Sequence, residues 1–321
     1  MIPIYKSWLV QIEITNHCTH RCANCTRFVG HTASSYFMSL AEIEKAVDSL
    51  DGYHGAIGIM GGEPTLHPDF PAICEMLLKK VSPWKLGIWT SGHKWDEYKK
   101  IIKKTFKFCC SYNDHSSPEQ KHQPVLVAID DVVDDKKLMR GLIDKCWVQE
   151  AWSPSINHKG AFFCEVAAAM DIVFNGPGGY PVEQGWWEKT PEQFRDQVDR
   201  YCLRCGAALP MECPSNREAA DLVSPGNLEM LKKVNSPKIA RGKYILFDRK
   251  LDPDTIMKKK KSWNPGAYLG VNFVLGFLIG FVNEFSRKKN LKLDEWWLLF
   301  RGSYSFYRIW YRFRRLFERN P

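Results

Sequence analysis

The spacing of apolar positions changes several times along the chain, and each change marks an element. Residues 8–15, WLVQIEIT, alternate apolar and polar, which predicts a strand with one covered face. Residues 16–28 are polar and rich in cysteine and read as a loop. Ser39-Leu40-Ala41-Glu42 is a capping box, and Leu40, Ile43, Ala46, Val47 and Leu50 keep helical spacing behind it. A buried strand over residues 55–60 ends in Gly61-Gly62-Glu63-Pro64, followed by a helix over 69–81, a strand over 85–90 and a helix over 95–104. The series continues with strands over 106–112 and 125–129, a helix over 136–143 and a strand over 146–152. Such alternation predicts an α/β fold with a parallel sheet, whose ligands sit in the loops at the carboxyl ends of the strands.

After Trp152 the regularity fails. Residues 153–221 hold Gly176-Pro177-Gly178-Gly179, the pair Trp186-Trp187 and four cysteines, and read as a compact metal-stapled module. Residues 222–257 are a connecting region without clear periodicity, and 258–321 are a tail. With 45% hydrophobic and 13% aromatic residues, the 321-residue chain can bury a large core, which excludes wholesale disorder. Its formal charge of +9 is unevenly placed: residues 258–321 carry 14 Lys/Arg against 4 Asp/Glu, which leaves residues 1–257 at −1. The core therefore lacks the basic footprint of a nucleic-acid binder, while the tail is basic and also holds 16 aromatic residues. Within it, residues 267–282 are 16 positions with only Asn272 polar, short of the ~20 needed to span a bilayer. Trp296, Trp297, Tyr304, Trp310 and Tyr311, set among Arg301, Arg308, Arg312, Arg314 and Arg315, suit an anionic membrane surface. Packing as a helix on the core ranks second for this tail, and nucleic acid third.

Eleven cysteines shift the picture towards metal chemistry. Residues 1–21 lack the basic start, continuous apolar stretch and small-residue cleavage site of a secretory leader, so a reducing cytoplasm is expected, where clustered cysteines bind metal or react. Cys18-x3-Cys22-x2-Cys25 presents three soft thiol ligands directly after the first strand. That arrangement suits an iron–sulfur cluster with one iron lacking a protein ligand, or a zinc site completed by His17, His20 or His31.

The three-cysteine loop, followed one β/α unit later by Gly61-Gly62-Glu63-Pro64, resembles the radical S-adenosylmethionine (SAM) superfamily over residues 8–152. The resemblance implies a partial (β/α)6 radical SAM barrel over residues 1–152. It implies a [4Fe–4S] cluster on Cys18, Cys22 and Cys25, and SAM held by Gly61, Gly62, Glu63 and Pro64, with Glu63 on the ammonium group. Thr90 and Ser91, in a near match to the family's Thr-Asn-Gly, would reach the ribose. The family usually has an aromatic residue before the third cysteine, to meet the adenine; here it is Asn24, and Phe28 is the substitute candidate.

Cys202-x2-Cys205, with Cys164 upstream and Cys213 downstream, resembles the SPASM and Twitch auxiliary-cluster modules, the shorter Twitch form fitting better. It implies a second [4Fe–4S] cluster, with structural zinc as the alternative. Cys74, Cys109, Cys110 and Cys146 read as ordinary buried thiols, although one of Cys109 and Cys110 could face a lumen and donate a hydrogen atom. Tyr112, Asn113, Asp114 and His115 stand where substrate-binding groups are expected.

The expected protein is a radical SAM enzyme, oxidoreductase-like, with an Fe–S auxiliary module and a helical tail peripheral to the inner membrane face. Its expected partners are a small-molecule or lipid-linked substrate and a reductant such as flavodoxin or ferredoxin. A peptide-modifying maturase and a non-catalytic zinc scaffold are the alternatives. No catalytic residue is named, and the substrate is not legible.

Overall fold

The computed structural model describes residues 1–112, 122–152, 154–212, 214–217 and 219–262, all within one compact unit that spans residues 1–276. Cys213, the Asn113-Asp114-His115 group and the whole apolar, aromatic and basic stretch from Trp263 onwards lie outside the described residues.

The first half alternates as its pattern predicts: β1 (Leu9–Thr15), α1 (Leu40–Asp48), β2 (Ala56–Gly61), α2 (Phe70–Lys80), β3 (Leu86–Thr90), α3 (Trp95–Thr105) and β4 (Cys109–Tyr112). The capping box opens α1: Ser39 Oγ accepts from the Glu42 amide at 3.2 Å, and the Glu42 carboxylate accepts from the Ser39 amide at 2.7 Å.

Two expected strands are helical or irregular instead. Residues 125–128 are buried, but their backbone pairs with loops: Val125 O accepts from Gly206 N, Leu126 O from Ser224 N, and Ala128 N donates to Ser224 Oγ. The chain then enters a short helix, α4 (Ile129–Val132), and α5 (Lys136–Asp144) follows. The expected strand over 146–152 is a helix, α6 (Trp147–Trp152). Short apolar runs have no decisive period, so a buried turn or helix can be mistaken for a strand.

The sheet is completed from further along. β5 (Ser155–Asn157) pairs in parallel with β1, Gln11 opposite Ser155, and β6 (Gly160–Phe162) closes an antiparallel hairpin with it. The six-stranded order is β4-β3-β2-β1-β5-β6, mostly parallel, an α/β sheet of the kind a partial radical SAM barrel contains. The sheet thus runs through the 152/153 boundary expected from composition. Residues beyond it also grip α1: Trp186 and Trp187 are buried and donate to the hydroxyl and carbonyl of Ser49.

Next come α7 (Glu165–Val173) and α8 (Arg195–Tyr201). The stretch that showed no clear periodicity holds β7 (Asp221–Val223), α9 (Pro225–Lys233), α10 (Pro237–Ala240), β8 (Tyr244–Leu246) and α11 (Pro253–Ser262), with β7 and β8 forming a separate parallel pair.

All seven residues of β1 are buried. Val10, Ile12 and Ile14 join the main apolar core, whereas Gln11 and Glu13, on the opposite face, meet polar partners rather than water.

Candidate functional site

The cysteine loop leaves the carboxyl end of β1, and the end of β2 is bonded to its root. Gly62 N donates to Thr15 O and Glu63 N to His17 O, both at 2.7 Å. Two glycines make this approach possible: a Cβ on Gly61, whose φ is +148°, would lie 2.1 Å from Thr15 O, and one on Gly62 would lie 2.2 Å from His17 O. The glycines therefore serve contact between two backbone segments.

Glu63 is fully buried and both its carboxylate oxygens are filled. Oε1 accepts from the Thr65 amide at 3.1 Å, the Thr65 hydroxyl at 2.6 Å and the Thr90 hydroxyl at 2.7 Å. Oε2 accepts from the amide and hydroxyl of Ser91, both at 2.6 Å. Glu63, Thr90 and Ser91 are thus brought together, as expected of one ligand site, but they satisfy one another. In this arrangement the carboxylate bridges the ends of β2 and β3. Phe28, the substitute for the missing aromatic residue, is 1% exposed and packs edge-on to His31, so it presents no face to a ligand.

Cys18, Cys22 and Cys25 face one another closely enough to interact electrostatically. Burial pushes the Cys18 thiol up to about 11, with Cys25 and Glu63 adding to the rise. Burial, then Cys25 and Cys18, push Cys22 up to about 12, while Lys238 pulls against them. Three thiolates cannot share such a place without a compensating cation, so the donor set suits a metal cluster.

The second cysteine group differs from the expected one. Cys146, Cys164, Cys202 and Cys205 line a single cavity whose other walls are mostly apolar, with Ile143, Phe163, Val166 and Met170 beside Gln149 and Tyr201. Burial raises the thiols of Cys202 and Cys205 well above the ordinary range; Cys164 and Cys146 contribute to both shifts. Cys146, read from sequence as an ordinary thiol, is therefore a member of the group. It sits just before α6, Cys164 caps the start of α7, and Cys202 and Cys205 flank the turn after α8. The signal that could have found it was its distance of 18 residues from Cys164 across the β5–β6 hairpin. Among the described residues, no three His, Cys, Asp or Glu converge as ligands of one ion would.

A buried ion pair joins the two regions. Arg27, two residues after Cys25, donates from Nη2 to the carboxylate of Glu165, the residue after Cys164, at 2.8 Å. The Nη2 group also meets Gln11 Oε1 and Met60 Sδ, and Arg27 Nε lies 3.6 Å from Glu13. Glu13 is held from the other side by the Ser155 hydroxyl at 2.7 Å. The polar face of β1 exists for this network.

Residues 12–116 match the model of the Radical SAM superfamily. Over 97 residues the chain is 29% identical to GTP 3',8-cyclase of Vibrio atlanticus (strain LGP32), which amounts to 29% of this chain and 29% of that protein's length. Among solved structures, BtrN in complex with AdoMet and 2-DOIA is similar over 61% of this chain and 87% of that one, at 12% identity and a TM-score of 0.39. The selenomethionine form of BtrN in an open conformation gives 61%, 86%, 12% and 0.37. Residues 12–116, with Cys18, Cys22, Cys25 and the Gly61–Gly62 approach inside them, are thus the part of the chain that is similar to the radical SAM superfamily.

Proposed function

We propose that this protein is a radical SAM enzyme that carries two iron–sulfur clusters and oxidises a small-molecule substrate. The observation that carries the reading beyond the superfamily is the gathering of Cys146, Cys164, Cys202 and Cys205 around one apolar cavity. When bound, the clusters and SAM supply a 5′-deoxyadenosyl radical for hydrogen-atom abstraction and a place for the electron that an oxidised substrate gives up. Cys18, Cys22 and Cys25 would hold the first cluster, and three thiolates would leave one iron open to SAM. Gly61 and Gly62 bring the β2 backbone against the cluster loop, and Glu63 braces the end of β2 to that of β3. Four thiolates at the second site would supply a protein ligand to every iron of a [4Fe–4S] cluster, which would favour electron transfer over substrate ligation there. That choice makes net oxidation the favoured outcome over rearrangement. No role is left for Cys213 in a four-thiolate set.

The finer part of the reading concerns place and substrate. The tail's +10 charge and its aromatic residues support docking on an anionic membrane surface, and with it a lipid-linked sugar or other polar lipid as substrate. A flavodoxin or ferredoxin would supply the electron. Among the described residues no helix is long and apolar enough to cross a membrane.

The test is anaerobic reconstitution of the full chain with iron and sulfide, then reduction with SAM present. Iron and acid-labile sulfide for two clusters, and release of 5′-deoxyadenosine, are expected; zinc at the second site would sink the oxidative reading. The same protein should sediment with anionic vesicles, less so at high salt.

A further inference from the structure

The segment between Cys22 and Cys25 rests on a second set of buried polar groups, drawn from a part of the chain with no assigned role. Lys238, on α10, is 2% exposed, and its Nζ donates to Cys22 O at 2.8 Å and pairs with Asp221 Oδ1 at 2.7 Å. Asp221, at the start of β7, is 1% exposed and also accepts the Asn24 amide. Its other oxygen takes His31 Nε2 at 2.7 Å, and His31 Nδ1 meets Ser236 Oγ at 2.8 Å. Ala23 N donates to Asn216 Oδ1 at 2.7 Å, and Ala23 O meets His122 Nδ1 at 3.0 Å. Asn24 adopts the left-handed conformation, φ +52°, and its side-chain oxygen accepts from Leu222 N at 3.0 Å. The residue that stands where the family has an aromatic is therefore latched to β7. Gly30 leaves the channel for the Lys238 stem: a Cβ there would lie 2.8 Å from Lys238 Cδ.

We infer that Lys238 and Asp221 are positioning residues that fix the Cys22–Cys25 turn and set the reduction potential of the first cluster by opposing contributions. Reduction adds one negative charge to the cluster. A buried ammonium bonded to the Cys22 carbonyl stabilises that charge, and the carboxylate beside it opposes it. Both charges are screened little because neither reaches water. The pair thus holds the loop while leaving a small net field, and its two members act on the potential with opposite sign.

That opposition separates tuning from scaffolding. In the reconstituted full-length enzyme, the first cluster is identified by the reduced-state EPR signal that changes when SAM is added, and its midpoint is measured by potentiometric titration. Lys238→Met keeps the stem and removes the charge. It should lower the midpoint enough to cut the ratio of reduced to oxidised cluster about tenfold at fixed potential, or about 59 mV for a one-electron couple. Asp221→Asn keeps the shape and should raise the midpoint. Shifts of the same sign in both variants, or of neither, overturn the inference. If Lys238→Met fails to hold the cluster, Asp221→Asn decides alone, and an unchanged or lowered midpoint overturns it.

Discussion

Glu63 illustrates how far single residues can be read in advance. A glutamate after two glycines at a strand end looks like a ligand group, because only Thr65 among its nearby residues gives it a donor. Two of its partners, Thr90 and Ser91, lie 27 and 28 residues away and reach it only once β2 and β3 pair. Its five donors make a testable difference between brace and ammonium acceptor. Glu63→Gln replaces one acceptor oxygen by an NH2 group facing donors, so it should cost about 1–3 kcal/mol of stability, the usual penalty for a buried mismatch. A fall in the thermal midpoint of the SAM-free protein, with cluster iron retained, is the expected result. An unchanged midpoint with weakened SAM binding would return the residue to the ligand role. Cys18, Cys22 and Cys25 pose no such problem, since their spacing places all three in one loop whatever the fold does around them.

At the level of elements, legibility followed periodicity. The strands and helices up to Thr105 have long, regular patterns, and the structure follows them closely. Residues 125–129 and 146–152 are apolar over too short a run to choose between strand, turn and helix, and neither forms the expected strand. Cys146 reads from sequence as an ordinary buried thiol; as the residue before α6 it lines one cavity with Cys164, Cys202 and Cys205. It follows that Cys146→Ser should behave like Cys202→Ser: each should lose the iron of one cluster and abolish product formation, yet still release 5′-deoxyadenosine under strong reductant. Cys74→Ser is the control, because Cys74 is buried in α2 within the main core, and its iron content should stay at the wild-type level. Full iron in Cys146→Ser would remove that residue from the set. The segment beyond residue 222 was illegible for a different reason. Its elements are three to ten residues long, and its polar groups are explained by bonds to the cysteine loop some 200 positions upstream, which no local pattern encodes.

Across the whole molecule, the two cysteine sites are joined by charge at the centre of the sheet. Arg27 serves two buried carboxylates, Glu13 and Glu165, so the network depends on one guanidinium. A polar face on β1 suggested water on that side; the structure instead places this network there, in the interior between the regions where both clusters would sit. Removing the guanidinium leaves two carboxylates in low dielectric with nothing between them, a loss of about 3–5 kcal/mol by analogy with other broken buried pairs. The loss should depend on pH in a set direction. Burial raises the Glu13 carboxyl above 4.5, and Arg27 is the main influence holding it down. In Arg27→Met the folded state therefore keeps a proton that the unfolded chain releases, and stability falls as pH rises above about 4.5 until the folded carboxyl itself ionises. Urea unfolding of Arg27→Met at pH 5.5 and pH 8 should show the larger deficit relative to wild type at pH 8. Equal deficits at the two values would mean that Glu13 is not the group left uncompensated. In that case the Arg27–Glu165 contact, which ties the Cys25 loop to the Cys164 helix, would carry the stability by itself.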